Sequence, residues 1–208
     1  MKKLLFLPFI LSCLLLHGQT EDIIPDNKSQ IKITSSIEYK KLPFAMRMLK
    51  KQLPKEDISY YAQIGQRNEV NIEMKILGKT MMMSTISVTN YKLGKVWSKE
   101  LMIVNDSIVK DGLKTEITEL PEENSIIIGA ETKEILGYPC VAFSMDTDSF
   151  KMEGFLAPGI MGPEEFRGHG MPLEIKATAK TEKIVQLLKA TSIEIEPLNS
   201  DLFKLEKN

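Results

Sequence analysis

The chain predicts a mainly β fold, an antiparallel sheet accompanied by one short amphipathic helix. Three observations carry that reading. From Gln30 to Lys40 apolar and polar residues alternate, with Ile31, Ile33, Ile37 and Tyr39 on one side and Lys32, Thr34, Glu38 and Lys40 on the other. Val70, Ile72, Met74 and Ile76 alternate in the same way with Asn71, Glu73 and Lys75. A period of two is the mark of a half-buried strand. Thirdly, Gly65, Gly78, Gly94 and Gly137 fall between apolar runs, where a residue that tolerates positive φ closes a tight turn. Short strands joined by tight links make antiparallel neighbours rather than βαβ units.

Taken in order, the chain opens with MKKLLFLPFILSCLLLHGQT. Lys2 and Lys3 precede an apolar run from Leu4 to Leu16, too short for the roughly 20 residues of a membrane span but suited to a secretory signal. Residues 1–18 read as that signal, cut after Gly18. A second reading takes Ile10-Leu11-Ser12-Cys13 as a lipobox with a lipidated Cys13, and both stand at this point. Residues 19–29 read as a mobile N-terminal arm. Residues 30–208 read as a single antiparallel β domain, long enough to bury a substantial core.

Further strands are predicted over Ser59–Ile64, Met81–Tyr91, Lys95–Val104, Ser125–Ile135, Tyr138–Asp146, Phe150–Leu156, Leu173–Thr181 and Thr191–Glu196, and Ile184–Leu188 is assigned to strand although its spacing also fits a helix. The helix is placed over Pro43–Leu53, with proline at its start and Pro54 beyond its end. Its Phe44, Met46, Met48, Leu49 and Leu53 form an apolar arc, and Arg47, Lys50 and Lys51 form a basic face. Pro158–Pro172, with four glycines and three prolines, is the main irregular loop.

Composition narrows the function. Removing the signal takes Lys2 and Lys3 from the 27 basic residues, so 25 bases stand against 28 acids, a net charge of −3. That balance gives no electrostatic case for nucleic acid. It also removes Cys13 and His17, leaving Cys140 and His169 as the one thiol and the one imidazole. No intramolecular disulfide can then form, and the apolar residues after Cys140 favour a buried thiol. One histidine cannot build a H-E-x-x-H zinc site, and no G-x-S-x-G elbow supports a triad around His169. The adjacent pairs Glu122-Glu123 and Glu164-Glu165 read as solvated turns, and Trp97 as strand packing. The expectation is a protein with no catalytic residues, no bound metal and no cofactor.

Two stretches resemble a known family. Glu131-Thr-Lys-Glu-Ile-Leu-Gly-Tyr-Pro-Cys140 carries Thr132, Lys133, Gly137, Tyr138 and Cys140 at the spacing of a phrase found in secreted bacterial proteins of unknown function. Met161-Gly-Pro-Glu-Glu-Phe-Arg-Gly-His-Gly-Met-Pro-Leu-Glu174 is similar to the stretch for which the GLPGLI family is named, and to that of a sister family. These families look like outer-membrane lipoprotein carriers. The resemblance implies a curved sheet, a half-barrel closing partway around an apolar cavity, with helix and loops across its open side. It brings no catalytic residues.

The resulting expectation is a non-enzymatic exported protein of the periplasm or outer-membrane side that binds a lipid or a lipoprotein acyl chain. No membrane-spanning segment is expected once the signal is removed. The chain is rich in methionine, whose flexible thioethers suit an adaptable pocket as well as core filling. Phe44, Met48, Met74, Met82 and Ile86 are the expected pocket residues, with Arg47, Lys50 and Lys51 at a lipid head group. The alternative is a structural module of the envelope with a filled core, contacting a protein partner through Gly159–Pro172.

Overall fold

A computed structural model describes residues 22–76, 79–91, 95–105, 107–116, 126–166, 168–181 and 183–204. The signal, both readings of its processing, and the turn glycines Gly78 and Gly94 lie outside these residues. Among the described residues eleven strands form one open antiparallel sheet. They are β1 (Ser29–Lys41), β2 (Glu56–Ala62), β3 (Gly65–Ile76), β4 (Lys79–Asn90), β5 (Lys95–Val104), β6 (Ser107–Glu116), β7 (Ile127–Ile135), β8 (Tyr138–Asp146), β9 (Phe150–Ala157), β10 (Met171–Ala179) and β11 (Ile184–Pro197). Their order is β6-β5-β4-β3-β2-β1-β11-β10-β9-β8-β7. Two meanders therefore meet at a central seam, where the first strand pairs with the last.

That order forces the sheet to bend. Strands β6 and β7 are consecutive in the chain yet sit at opposite edges, ten strand spacings or about 48 Å apart if the sheet were flat. Following the paired residues inward, Glu116 is level with Ile31 on β1, whereas Ile127 is level with Glu38. The edges are thus also offset along the strands. The eleven residue steps from Glu116 to Ile127 reach at most about 40 Å when fully extended. A flat sheet cannot be joined by so short a link.

The predicted strands over Lys95–Val104 and Tyr138–Asp146 have the bounds seen for β5 and β8, and Ile184–Leu188 belongs to β11. β6 adds a strand that the alternation does not signal. Gly65 is not in a turn but opens β3, where a β-carbon would overlap the Thr89 carbonyl oxygen. Leu136 and Gly137, both at positive φ, make the two-residue turn between β7 and β8.

The helix departs most from expectation. α1 covers only Phe44–Arg47, followed by a 3-10 turn at Lys50–Gln52, in place of a continuous helix over Pro43–Leu53. No side chain caps the start of α1. Its apolar stripe is only partly covered: Met46, Leu49 and Leu53 are half-buried, but Phe44 and Met48 are each 79% exposed. Short helices persist by packing rather than by propensity, so this one stops after a turn.

Within the described part of the N-terminal arm, Ile23 and Pro25 are held by the rest of the chain. Ile23 forms a parallel bridge to Ile160, with Ile23 N donating to Gly159 O at 2.6 Å and Met161 N donating to Ile23 O at 3.0 Å. Gln63 Nε2 holds the Pro25 carbonyl at 3.0 Å.

The residue pairing assigns each side chain to a face. Ile31, Ile33 and Ser35 of β1 share one face with Asp57, Ser59 and Tyr61 of β2, and with Gln66, Asn68, Val70 and Ile72 of β3. The 158–170 loop folds over this face. Its Ile160 joins Ile31, Tyr61, Met171 and Leu173 in one core, and its Phe166 joins Phe143, Met145 and Leu156 in a second. Phe166 meets the Phe143 ring edge-on, with centroids 5.1 Å apart. A third core occupies the opposite face, where Phe203 from the 3-10 turn at Ser200–Phe203 covers Val88 and Ala62, with Trp97 packed alongside. Arg67 anchors that turn, donating from Nη1 to Leu202 O at 2.9 Å.

Candidate functional site

The expected pocket residues do not converge. Phe44 and Met48 point to solvent. Met82 and Ile86 lie on the face opposite the 158–170 loop. There Met82 is half-exposed beside a shallow groove with Leu101 and Ile103, and Ile86 packs in the Phe203 core. Met74, at the register position paired with Met81, belongs to the loop-covered face, and its side chain lies outside the description. The pocket assignment therefore mixed two faces of the sheet. Arg47, Lys50 and Lys51 are exposed as a head-group contact requires, but Arg47 turns back to donate from Nε to Leu42 O at 3.0 Å.

On the loop-covered face the strands assemble a different methionine group. Ile72 pairs with Met83, which pairs with Met102, while Met81 pairs with Val104 in the next row. Cross-strand neighbours lie about 5 Å apart, so Ile72, Met81, Met83, Met102 and Val104 form one apolar quarter. All five are half-buried and belong to none of the three packed cores. The 3-10 turn at Lys50–Gln52 lies against β3.

A polar row crosses the sheet beside this quarter. Ser59 pairs with Asn68, Asn68 with Ser87, and Ser87 with Ser98. At its inner end a part-open cavity of about 180 Å³ lies between the strands and the loop. Asp57, Ser59, Tyr61 and Asn68 form its polar floor, Leu173 and Leu188 an apolar wall, and Pro163, Glu165 and Phe166 its roof. Ser59 Oγ donates to Asp57 Oδ2 at 2.8 Å. Asn68 Oδ1 is buried without a hydrogen-bond partner.

Burial raises the Asp57 carboxyl above its ordinary value, with the Ser59 hydroxyl opposing. Burial likewise pushes the Tyr61 phenol up. Because the folded protein holds the Asp57 proton more tightly than the unfolded chain, this group's contribution to stability declines as pH rises from the ordinary carboxylate value through the raised one.

No family model matches this chain, and no curated protein does. Solved structures of PNGF-II in two crystal forms superpose with a TM-score of 0.45 at 15% identity. They cover 86% and 85% of this chain and 30% of the other. A chain of the Pseudomonas aeruginosa MucA/MucB complex superposes with a TM-score of 0.39 at 9% identity, covering 86% of this chain and 56% of that one. This chain thus spans less than a third of PNGF-II and little more than half of the MucA/MucB chain.

The residues that carry the sequence resemblance gather at the other end of the sheet. Thr132, Lys133, Tyr138 and Cys140 line an open cleft of about 520 Å³ beside Pro158 and Gly159. Their contacts are those of a brace. Lys133 Nζ stands 4.0 Å over the Phe155 ring and donates to Glu174 Oε1 at 2.9 Å, while Lys189 pairs with Glu174 Oε2 at 3.2 Å. Glu174, from the second stretch, is thereby tied to the first. Cys140 is buried as expected, its Sγ donating to Tyr138 O at 3.3 Å. Burial raises its thiol above the ordinary value, the reverse of what a thiolate nucleophile needs. Among the described residues no three His, Cys, Asp or Glu side chains group to hold a metal ion.

The brace makes a pH-dependent prediction. Burial works to raise the Glu174 carboxyl, but its hydrogen bonds to Lys133 and Lys189 outweigh burial and leave it below the ordinary carboxylate value. Its stabilisation is present above the unfolded-state value, near 4.3, and fades as pH falls through the depressed one. Glu174→Gln is expected to cost about 1 kcal/mol at pH 7, at the exposed-pair scale, and nothing at the lowest pH where the fold survives. Urea unfolding across that range is the check. An equal loss at every pH would remove the charge from the account.

Proposed function

We propose that this is an exported envelope protein that binds rather than catalyses, holding a lipid or acyl chain along the loop-covered face of its open sheet. The observation that supports it is the apolar quarter of Ile72, Met81, Met83, Met102 and Val104, half-buried, on one face and outside every packed core. Each methylene laid against it gains roughly 0.8 kcal/mol on full burial, and methionine lets the surface adjust to different chains. The signal-like leader and the likeness to lipoprotein carriers point to the same compartment and the same cargo class. Neither the buried Cys140 nor His169 is used.

Met82 and Met83 provide the test, because they are neighbours in sequence on opposite faces. Met83→Glu is expected to weaken displacement of a fluorescent fatty acid by about tenfold or more, the penalty of desolvating a charge against a chain. Met82→Glu should leave it unchanged, and a thermal melt would show that both variants fold. Equal behaviour of the two, or native mass spectra of protein from its own envelope that carry no lipid, would overturn the proposal. A second reading, a protein-binding module, is favoured by β7, an edge strand with Ile127 and Ile128 exposed. It predicts that those spectra carry a second polypeptide instead.

A further inference from the structure

The roofed cavity beside the apolar quarter carries its own chemistry. We propose that it receives the head of the bound amphiphile, and that this head is a primary ammonium, held by the Asp57 carboxylate and Asn68 Oδ1. The inference rests on the binding reading above and names the ligand class for the same face.

Three observations converge on a donor. The cavity, about 180 Å³, is large enough for an aminoalkyl group and is lined by both residues. Asn68 Oδ1 is an acceptor with no hydrogen-bond partner although it is buried, and such an atom normally finds a donor. Asp57 has one described partner, the Ser59 hydroxyl, and no described cation shifts its carboxyl. The roof adds a further carboxylate at Glu165. An anionic head would face carboxylates without a described counter-charge, and an alcohol has only one proton to donate. An ammonium offers three donors and the missing positive charge.

The arrangement also sets the polarity of binding. Asn68 and Ile72 stand two same-face positions apart on β3, about 13 Å at 3.3 Å per residue. A chain whose head lies at Asn68 therefore runs toward the row of Ile72, Met83 and Met102, about 13 Å away.

The full chain would be titrated by calorimetry with octylammonium, octanol and octanoate, and by NMR with butylammonium, which is too short to reach the apolar quarter. Octylammonium should bind at least about tenfold more tightly than either other probe. Asp57→Asn should abolish that preference, bringing octylammonium down to the level of octanol measured on the same variant. Butylammonium should shift the Asn68 side-chain amide resonances of the wild type alone.

Equal binding of all three octyl probes would overturn the ammonium assignment and leave the apolar face standing. An Asn68 shift with butylammonium, without any binding of octanol, would keep the cavity assignment and remove the acyl-chain reading. No response to either amine would overturn the inference outright. The head-group comparison in the wild type needs no variant to fold.

Discussion

Phe166→Ala is expected to lower the unfolding free energy by about 3–5 kcal/mol, the usual cost of deleting a buried aromatic ring. Phe166 is 4% exposed and fills the second core, edge-on to Phe143 and beside Leu156. It is also the largest apolar side chain with which the 158–170 loop is held to the sheet at the cavity roof. The two roles give the substitution two readouts. Urea denaturation should show the loss of stability. Proteolysis under native conditions should show earlier cleavage within 158–170, because a loop without its anchor opens at lower free energy than the sheet. A loss under about 1 kcal/mol would mean that Ile160 and Met171 hold the loop without it.

Gly154→Val is the second large effect, with an expected cost of about 3 kcal/mol or more, at the upper end for overpacking. Gly154 sits in β9 opposite Ile175 of β10 and Phe143 of β8. A β-carbon there would overlap the Glu174 carbonyl oxygen. The obstacle is backbone, so no rotamer change relieves it, and the β9–β10 ladder must open. That displacement carries Glu174 away from Lys133 and Lys189. Amide exchange should therefore rise along β10 before it rises along β3 or β4. Uniform acceleration across the sheet would show that the strain is not local.

The strands were legible in the sequence where one face is buried and the other is wet. β1 alternates because Ile31 and Ile33 enter a core while Lys32 and Thr34 do not. β6 was not legible, since Ile108 and Val109 are consecutive and both exposed, and an edge strand that does not bury alternate residues writes no period there. The helix was overread for the opposite reason. Its arc is apolar, but an arc becomes a helix only when something covers it, and nothing covers Phe44 or Met48.

The candidate site was half legible. Methionine enrichment named the residue type on which the proposed surface is built, but Met81, Met82 and Met83 are consecutive, and their faces follow from pairing that a single strand does not encode. Asp57, Ser59 and Asn68 gave no signal, because they come together only through the register of β2 against β3. Their short polar spacing within each strand was the one available hint.

The seam at which β1 meets β11 has a consequence for the order of folding. Twelve residue pairs join the strands that begin and end the described sheet. Each meander can pair locally as it emerges, but the two halves cannot be joined until the last strand is delivered. Contacts of such long sequence separation pay their loop-closure entropy first and form slowly. A chain built this way completes its sheet only after β11 is free to pair. Under the export proposed above, a late-closing seam would keep the chain threadable until the crossing is finished.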